Sequence, residues 1–122
     1  MILVDTSVWV DHLREGDALL AARLEQAAVL THPFVVGELA CGTLRNRALV
    51  LSLLQNLPMA TVAEPDEVLA FIERHSLNGR GIGYVDAQLL TATALTPGAT
   101  LWTRDKRLRV VAQRLGCATP VA

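Results

Sequence analysis

The chain has 122 residues, of which 52% are hydrophobic, and its 11 basic and 12 acidic side chains give a net charge of −1. This length predicts a single domain, residues 1–122. No apolar run approaches the roughly 18 residues that a membrane-spanning helix needs, so we expect no contact with a membrane. No basic residue precedes the first apolar run and Asp5 ends it, so we expect a cytoplasmic protein without an ordinary signal peptide.

The cysteines and histidines show no metal-ligand spacing. Cys41 and Cys117 lie far apart, and neither belongs to a C-x-x-C pair, so we expect buried free thiols and no zinc site. The three histidines are scattered, and we interpret them as structural or surface residues. A domain this small cannot bury all of its apolar residues, so part of the apolar surface is expected to contact a partner.

Short apolar segments alternate with helical patterns along the whole chain. Strands are predicted near 1–4, 29–31, 59–62, 100–103 and in the tail 117–122, and helices near 7–14, 17–26, 34–42, 45–57, 65–76, 84–92 and 106–115. This alternation predicts an α/β fold with a parallel sheet and helices on both faces.

Asp5 directly follows the first apolar run, which reads as a strand buried on both faces. It therefore stands at the carboxyl end of that strand, the edge at which ligands bind in open α/β sheets. Asp105 likewise follows the predicted strand 100–103. The alternative for both residues is that they cap the helices that begin after them, with Ser7 as a second candidate cap for the first helix.

Glu38 and Asp86 lie on predicted helices among apolar residues. An unpaired buried charge costs several kcal/mol, so such a carboxylate needs a cation or a raised pKa. The alternative for Glu38 is an ion pair with Arg45 or Arg47. The alternative for Asp86 is a favourable charge at a helix N-terminus.

In a parallel sheet, these four acids can face one crevice. Two carboxylates at ~4 Å repel by about 4 kcal/mol at an effective dielectric near 20, so four of them would not gather without a cation. Oxygen ligands without His or Cys favour Mg²⁺ or Mn²⁺. The chemistry that fits such a site is metal-assisted hydrolysis of a phosphodiester.

The basic residues favour a phosphate-bearing partner. Ten of the 11 bases are Arg, and setting the four acids aside leaves eight acids against 11 bases. Candidate phosphate contacts are Arg80, in the glycine-rich loop 78–83, and Arg104, Lys106 and Arg107, which surround Asp105. That loop lacks the G-x-G-x-x-G order of a dinucleotide site. A solvated helix face or a bias in genome composition would explain the bases equally well.

Four segments together resemble the PIN domain: Ile2–Ser7, Glu38 on its apolar helix, Tyr84–Ala87 and Leu101–Asp105, in this order. The resemblance covers essentially the whole chain, and the short length is similar to that of the VapC toxins of bacterial toxin–antitoxin pairs. It implies a PIN-like three-layer α/β fold whose central, mostly parallel sheet has about four or five short strands flanked by helices on both faces.

The resemblance also implies an Mg²⁺-dependent endoribonuclease in which Mn²⁺ can substitute. Asp5, Glu38, Asp86 and Asp105 would be its catalytic and metal-binding acids, with Ser7 and Thr103 as supporting hydroxyls. The implied partners are RNA, a VapB-type antitoxin and a second copy of the chain, in a homodimer or a larger toxin–antitoxin assembly. Some family members carry a further acid just after the third, where this chain has Gln88, Leu89 and Leu90, so the sequence is compatible with either one or two metal ions.

Two other classes share an acid after the first strand. A haloacid-dehalogenase-like phosphatase needs a second acid two residues later, where Ser7 stands. A receiver-like signalling domain needs a lysine on a late strand, and the single lysine, Lys106, follows Asp105 instead.

Overall fold

The computed structural model describes residues 1–120, which contain three strands and seven helices. The strands are β1 (Ile2–Val4), β2 (Val29–Leu30) and β3 (Thr100–Trp102). The helices are α1 (Thr6–Glu15), α2 (Ala18–Glu25), α3 (Pro33–Ala40), α4 (Arg47–Gln55), α5 (Pro65–Arg74), α6 (Tyr84–Leu95) and α7 (Lys106–Arg114). None of the helices in this part of the chain is long and apolar enough to cross a membrane.

Strand β1 is the centre of the sheet, with β2 and β3 paired in parallel on either side of it. Leu3 and Val4 are both fully buried. Because successive strand residues face opposite sides, the helices must cover both faces of the sheet, as the α/β pattern predicts. Val4 pairs with Trp102, so the residues that follow β1 and β3 emerge side by side at the carboxyl edge.

The prediction of four or five strands is wrong for the described residues, because both outer segments form only single bridges. Met59 bridges Thr31 beside β2, and Ala118 bridges Leu101 beside β3. The N–H of Thr61 donates to the Thr96 hydroxyl at 2.9 Å, which draws the first segment away from the sheet. The second segment reaches a proline at position 120, which has no N–H to continue the ladder; residues 121–122 of that predicted strand lie outside the described residues.

Helix positions agree with the sequence pattern, with differences at the ends. Helix α6 is the buried helix that its apolar sequence predicts, with residues 87–93 all buried. Helix α4 begins at Arg47, after Asn46 in a left-handed conformation, so the expected start at 45 is too early. The expectation of two buried thiols is wrong for Cys41, which is exposed just after α3. Cys117 is half-buried, and burial raises the pKa of its thiol.

Candidate acidic site at the carboxyl edge of the sheet

Asp5 is buried at the carboxyl end of β1, with only 7% of its surface exposed. It occupies the N-cap position of α1, yet its side chain accepts no hydrogen bond from the helix backbone. Its Oδ2 instead accepts the Ser7 hydroxyl at 2.7 Å and the Thr103 hydroxyl at 2.8 Å. The hydroxyls of Ser7, in the first turn of α1, and of Thr103, just after β3, therefore hold this carboxylate in place.

The segment after β3 is fastened to the same cluster through its backbone. The N–H of Arg104 donates to the Ser7 oxygen at 3.0 Å, and the N–H of Asp105 donates to the Thr103 oxygen at 3.1 Å. The Asp105 side chain also caps α7, since its Oδ1 accepts the Leu108 N–H at 3.0 Å. The capping interpretation thus holds for Asp105, whose side chain is nonetheless exposed at the edge of the sheet.

Asp86 is half-buried in the first turn of α6, where its Oδ2 accepts the Gly83 N–H at 3.1 Å. Burial raises the pKa of its carboxyl, the Gly83 N–H opposes that rise, and the negative charges of Asp5, Asp105 and Glu38 raise the pKa further. The helix N-terminus therefore favours the ionised form of Asp86, whereas burial and the neighbouring acids disfavour it. The charges of all three other acids therefore act on Asp86, and we call the region among these four carboxylates the acidic crevice.

Glu38 reaches that crevice from α3 and accepts the Thr6 hydroxyl on Oε1 at 2.7 Å. The expectation that Glu38 is buried is wrong, because this face of α3 is open to solvent. The alternative of an ion pair with Arg47 is also not realised, since the Arg47 guanidinium donates to the backbone oxygens of Ala40 and Gly42. Among the described residues, no ion pair involves Glu38.

The four acids of the acidic crevice do not form a complete set of metal ligands. Across residues 1–120, no three His, Cys, Asp or Glu side chains come close enough together to hold a metal ion directly. The donor set is nonetheless all-oxygen, as Mg²⁺ prefers, and Mg²⁺ commonly keeps several waters and uses only one or two carboxylates. Glu38 is exposed and can rotate towards such an ion, whereas hydrogen bonds hold the side chains of Asp5 and Asp105 in place.

A basic depression of about 330 Å³ lies between α7 and the loop before α6. Four basic residues and two valines line it: Arg80, Lys106, Arg107, Val110, Val111 and Arg114. The Arg114 guanidinium donates to the His75 carbonyl at 2.7 Å, and Nε of Arg80 donates to the Ser76 carbonyl at 3.2 Å. Lys106 and Arg107 form no ion pair with any described residue.

Arg104 points elsewhere. Its guanidinium pairs with Asp11 at 2.6 Å and with Asp17, and it lies over the Trp102 ring at 5.7 Å. The sequence offers no signal for these pairs, because 93 and 87 positions separate the partners along the chain. This arrangement favours a role for Arg104 other than the expected contact with RNA.

A second and larger groove, of about 610 Å³, is lined in part by Glu38. Its walls come from α1, α3, the loop 42–46 and α4, and they include Val10, Leu13 and Val50 together with Arg14 and Arg45. The groove therefore joins an apolar surface to one of the four acids.

Sequence comparison places these features among known proteins. The profile of the PIN domain matches residues 2–114. Two relatives from Mycobacterium tuberculosis, from strains CDC 1551 / Oshkosh and ATCC 25618 / H37Rv, are both named Ribonuclease VapC32. Each is 51% identical over 118 residues, which covers 97% of this chain and 95% of the relative.

Proposed function

The chain belongs to the PIN-domain family, and from this membership and the acidic crevice we propose that it is a metal-dependent endoribonuclease. The observation that carries the proposal is the convergence on Asp86, whose pKa is raised by burial and by the charges of Asp5, Asp105 and Glu38. An acid whose pKa is raised both by burial and by neighbouring charges is typical of a functional site. Neither the phosphatase nor the receiver alternative agrees with the family assignment.

Asp5, Glu38, Asp86 and Asp105 would hold Mg²⁺, and Mn²⁺ would substitute for it. When bound, the ion would lower the pKa of the attacking water and stabilise charge on the phosphorus. Asp5 would be the fixed ligand, because Ser7 and Thr103 hold its Oδ2 and leave the other oxygen without a hydrogen bond among the described residues. Asp86 would complete the buried side of the site, with its oxygen oriented by the Gly83 N–H.

Replacing Asp5 with Asn tests the assignment directly. The amide oxygen can still accept the Ser7 and Thr103 hydroxyls, so we expect an intact fold but the loss of nearly all Mg²⁺-dependent RNA cleavage. Cleavage of a labelled RNA with Mg²⁺ and with a chelator, beside a thermal melt, measures both. Asp66→Asn is the matched control, because Asp66 is an exposed acid in the first turn of α5. Wild-type activity in a folded Asp5→Asn protein would exclude the proposed site.

The basic depression would hold RNA phosphates through Arg80, Lys106 and Arg107. Each true phosphate contact contributes about 0.7 to the slope of log affinity against log salt for a single strand. We therefore expect Lys106→Ala and Arg107→Ala, in the inactive Asp5→Asn protein, to weaken binding and flatten this slope. Arg109→Ala is the control, since Arg109 is exposed on the same helix but lies outside the depression. Slopes that match the control would place the RNA on another surface.

We further propose that the chain is the toxin of a VapBC-type pair and acts as a homodimer or in a larger assembly with its antitoxin. The groove beside Glu38 suits an antitoxin segment that presents apolar side chains to Val10 and Leu13 and a basic side chain to Glu38. Leu49 and Leu53 on α4 are 60% and 57% exposed, which is the apolar surface a partner would cover. Expression with the product of the adjacent reading frame, followed by a cleavage assay and a mass measurement, tests inhibition and assembly together.

A further inference from the structure

The guanidinium of Arg104 joins two parts of the chain that are far apart in sequence. It pairs with Asp11, in the middle of α1, and with Asp17, which caps α2 by accepting the Leu20 N–H at 2.9 Å. The N–H of Asp17 also donates to Nδ1 of His12 at 3.0 Å. The turn between α1 and α2 is therefore a fixed anchor, and the segment after β3 is attached to it through Arg104.

The backbone of the same residue lies inside the acidic site. The Arg104 N–H donates to the Ser7 oxygen at 3.0 Å, and the Ser7 hydroxyl donates to Asp5 at 2.7 Å. On either side of Arg104 along the chain are Thr103, whose hydroxyl donates to Asp5, and Asp105. The side chain thus holds, from outside, the backbone segment that supplies hydroxyl and carboxylate groups to the site.

The surroundings of the guanidinium favour a lasting pair over a passing surface contact. The Asp17 side chain is only 18% exposed and that of Arg104 is 32% exposed. The Trp102 ring lies beneath the guanidinium and limits its movement. An arginine that already binds two carboxylates has few donors left for a phosphate, since its planar fork satisfies both acids at once.

We propose that Arg104 is a positioning residue of the acidic site: its ion pairs with Asp11 and Asp17 hold the 103–105 segment so that Thr103, Ser7 and Asp105 keep their places around Asp5. The proposal rests on the proposed ribonuclease function. In this proposal Asp11 and Asp17 are also positioning residues, because they hold the Arg104 guanidinium, and the guanidinium does not contact RNA.

The test compares four variants, Arg104→Ala, Arg104→Lys, Asp11→Asn and Asp17→Asn, with the wild type. We expect kcat for RNA cleavage to fall at least about tenfold in Arg104→Ala, because small displacements of reacting groups have large effects on rate. The value of KM, and the salt slope of RNA binding in the Asp5→Asn background, should stay at the wild-type level. Arg104→Lys should recover only part of kcat, since an ammonium group cannot reproduce the fork between two carboxylates.

The aspartate variants separate positioning from RNA binding. Asp17→Asn keeps a good helix cap and removes no basic group, so a fall in kcat there would not come from a lost cap or a lost RNA contact and would support the pair. A second readout is the Mn²⁺ concentration at the midpoint of thermal stabilisation, which should shift upward at least about threefold in Arg104→Ala and in Asp17→Asn. Asp17→Asn can keep the cap hydrogen bond from the Leu20 N–H, and Asp11→Asn changes only the pair with Arg104, so both keep the test open if Arg104→Ala fails to fold.

The outcomes distinguish this inference from the proposed function. A wild-type protein without Asp5-dependent cleavage would overturn both. If the wild type cleaves RNA, and Asp11→Asn and Asp17→Asn match it in kcat and in Mn²⁺ midpoint, only the positioning role would be overturned. A flatter salt slope and a raised KM in Arg104→Ala would identify Arg104 as a contact of the RNA instead.

Discussion

His32 is fully buried and holds the start of α3, the helix that carries Glu38. Its Nδ1 accepts the Phe34 N–H at 3.0 Å, and its ring packs edge-on against Phe34. An imidazole that accepts on Nδ1 is neutral, with its proton on Nε2. Burial lowers the pKa of His32 below its ordinary 6.5, so the folded protein disfavours the protonated ring that would release the cap.

This coupling predicts a specific loss of stability in acid. Below the ordinary pKa of 6.5 the unfolded chain binds a proton that the folded chain does not bind. The free energy of unfolding therefore decreases as the pH is lowered, until the folded-state pKa is reached. One such group contributes at most about 1.4 kcal/mol per pH unit. Urea unfolding between about pH 7.5 and about pH 5 measures the slope, which we expect to be shallower in His32→Asn because Asn caps without titrating. Identical slopes in the two proteins would refute the assignment to His32.

The loop between α5 and α6 is an element whose shape depends on glycine. Gly79 and Gly81 both have positive φ, of +71° and +77°. A Cβ on Gly79 would meet nothing within 4 Å, whereas a Cβ on Gly81 would come within 2.7 Å of Cδ of Arg107. Gly81 therefore combines a backbone requirement with a close approach to a residue of the basic depression.

The two glycines form a matched pair for experiment. Alanine at either position strains the backbone by about 1 kcal/mol, since positive φ disfavours a Cβ. We expect Gly81→Ala also to displace Arg107 and so to weaken RNA binding in the Asp5→Asn background, while Gly79→Ala binds RNA like its parent. Thermal melts and a binding titration on both variants measure the two effects. Equal RNA affinity in the two variants would show that the Arg107 contact has no part in binding.

At the scale of elements, the sequence predicted the helices whose positions depend on capping residues and on a local apolar pattern. The helices predicted near 17–26, 34–42 and 84–92 are all present, because Asp17 caps α2, Pro33 stands in the first turn of α3 and an apolar sequence forms the buried α6. The errors came from tertiary contacts that no local pattern shows. The Thr96 hydroxyl takes the N–H of Thr61 and ends the pairing of that segment, and the solvent-open face of α3 leaves Glu38 exposed.

At the scale of the whole molecule, the parallel order β2–β1–β3 explains why residues far apart in sequence share one edge. The sequence predicted this meeting for Asp5 and Asp105 because both follow strands, and the register of Val4 with Trp102 brings the two strand ends together. The ion pairs of Arg104 could not be predicted, since they depend on how the α1–α2 turn packs against the segment after β3. The same topology concentrates negative charge on one edge, so the stability of the fold should depend on a cation.

The stability of the fold should therefore differ with and without metal. An ion that binds only the folded state stabilises it by RT ln(1 + [L]/Kd), about 2.7 kcal/mol at a hundredfold excess over Kd. Because no three acids are preassembled in residues 1–120, we expect the effect only at millimolar Mg²⁺ and at lower concentrations of Mn²⁺.

Asp86→Asn should melt higher than the wild type without metal, since it removes a carboxylate that burial and three like charges disfavour. It should also lose most of the metal-induced rise, as should Glu38→Ala, whereas Glu73→Ala on the exposed side of α5 should keep it. Thermal melts over a titration of each ion decide the matter: a wild-type melting temperature that neither ion changes would show that the four acids do not form a metal site.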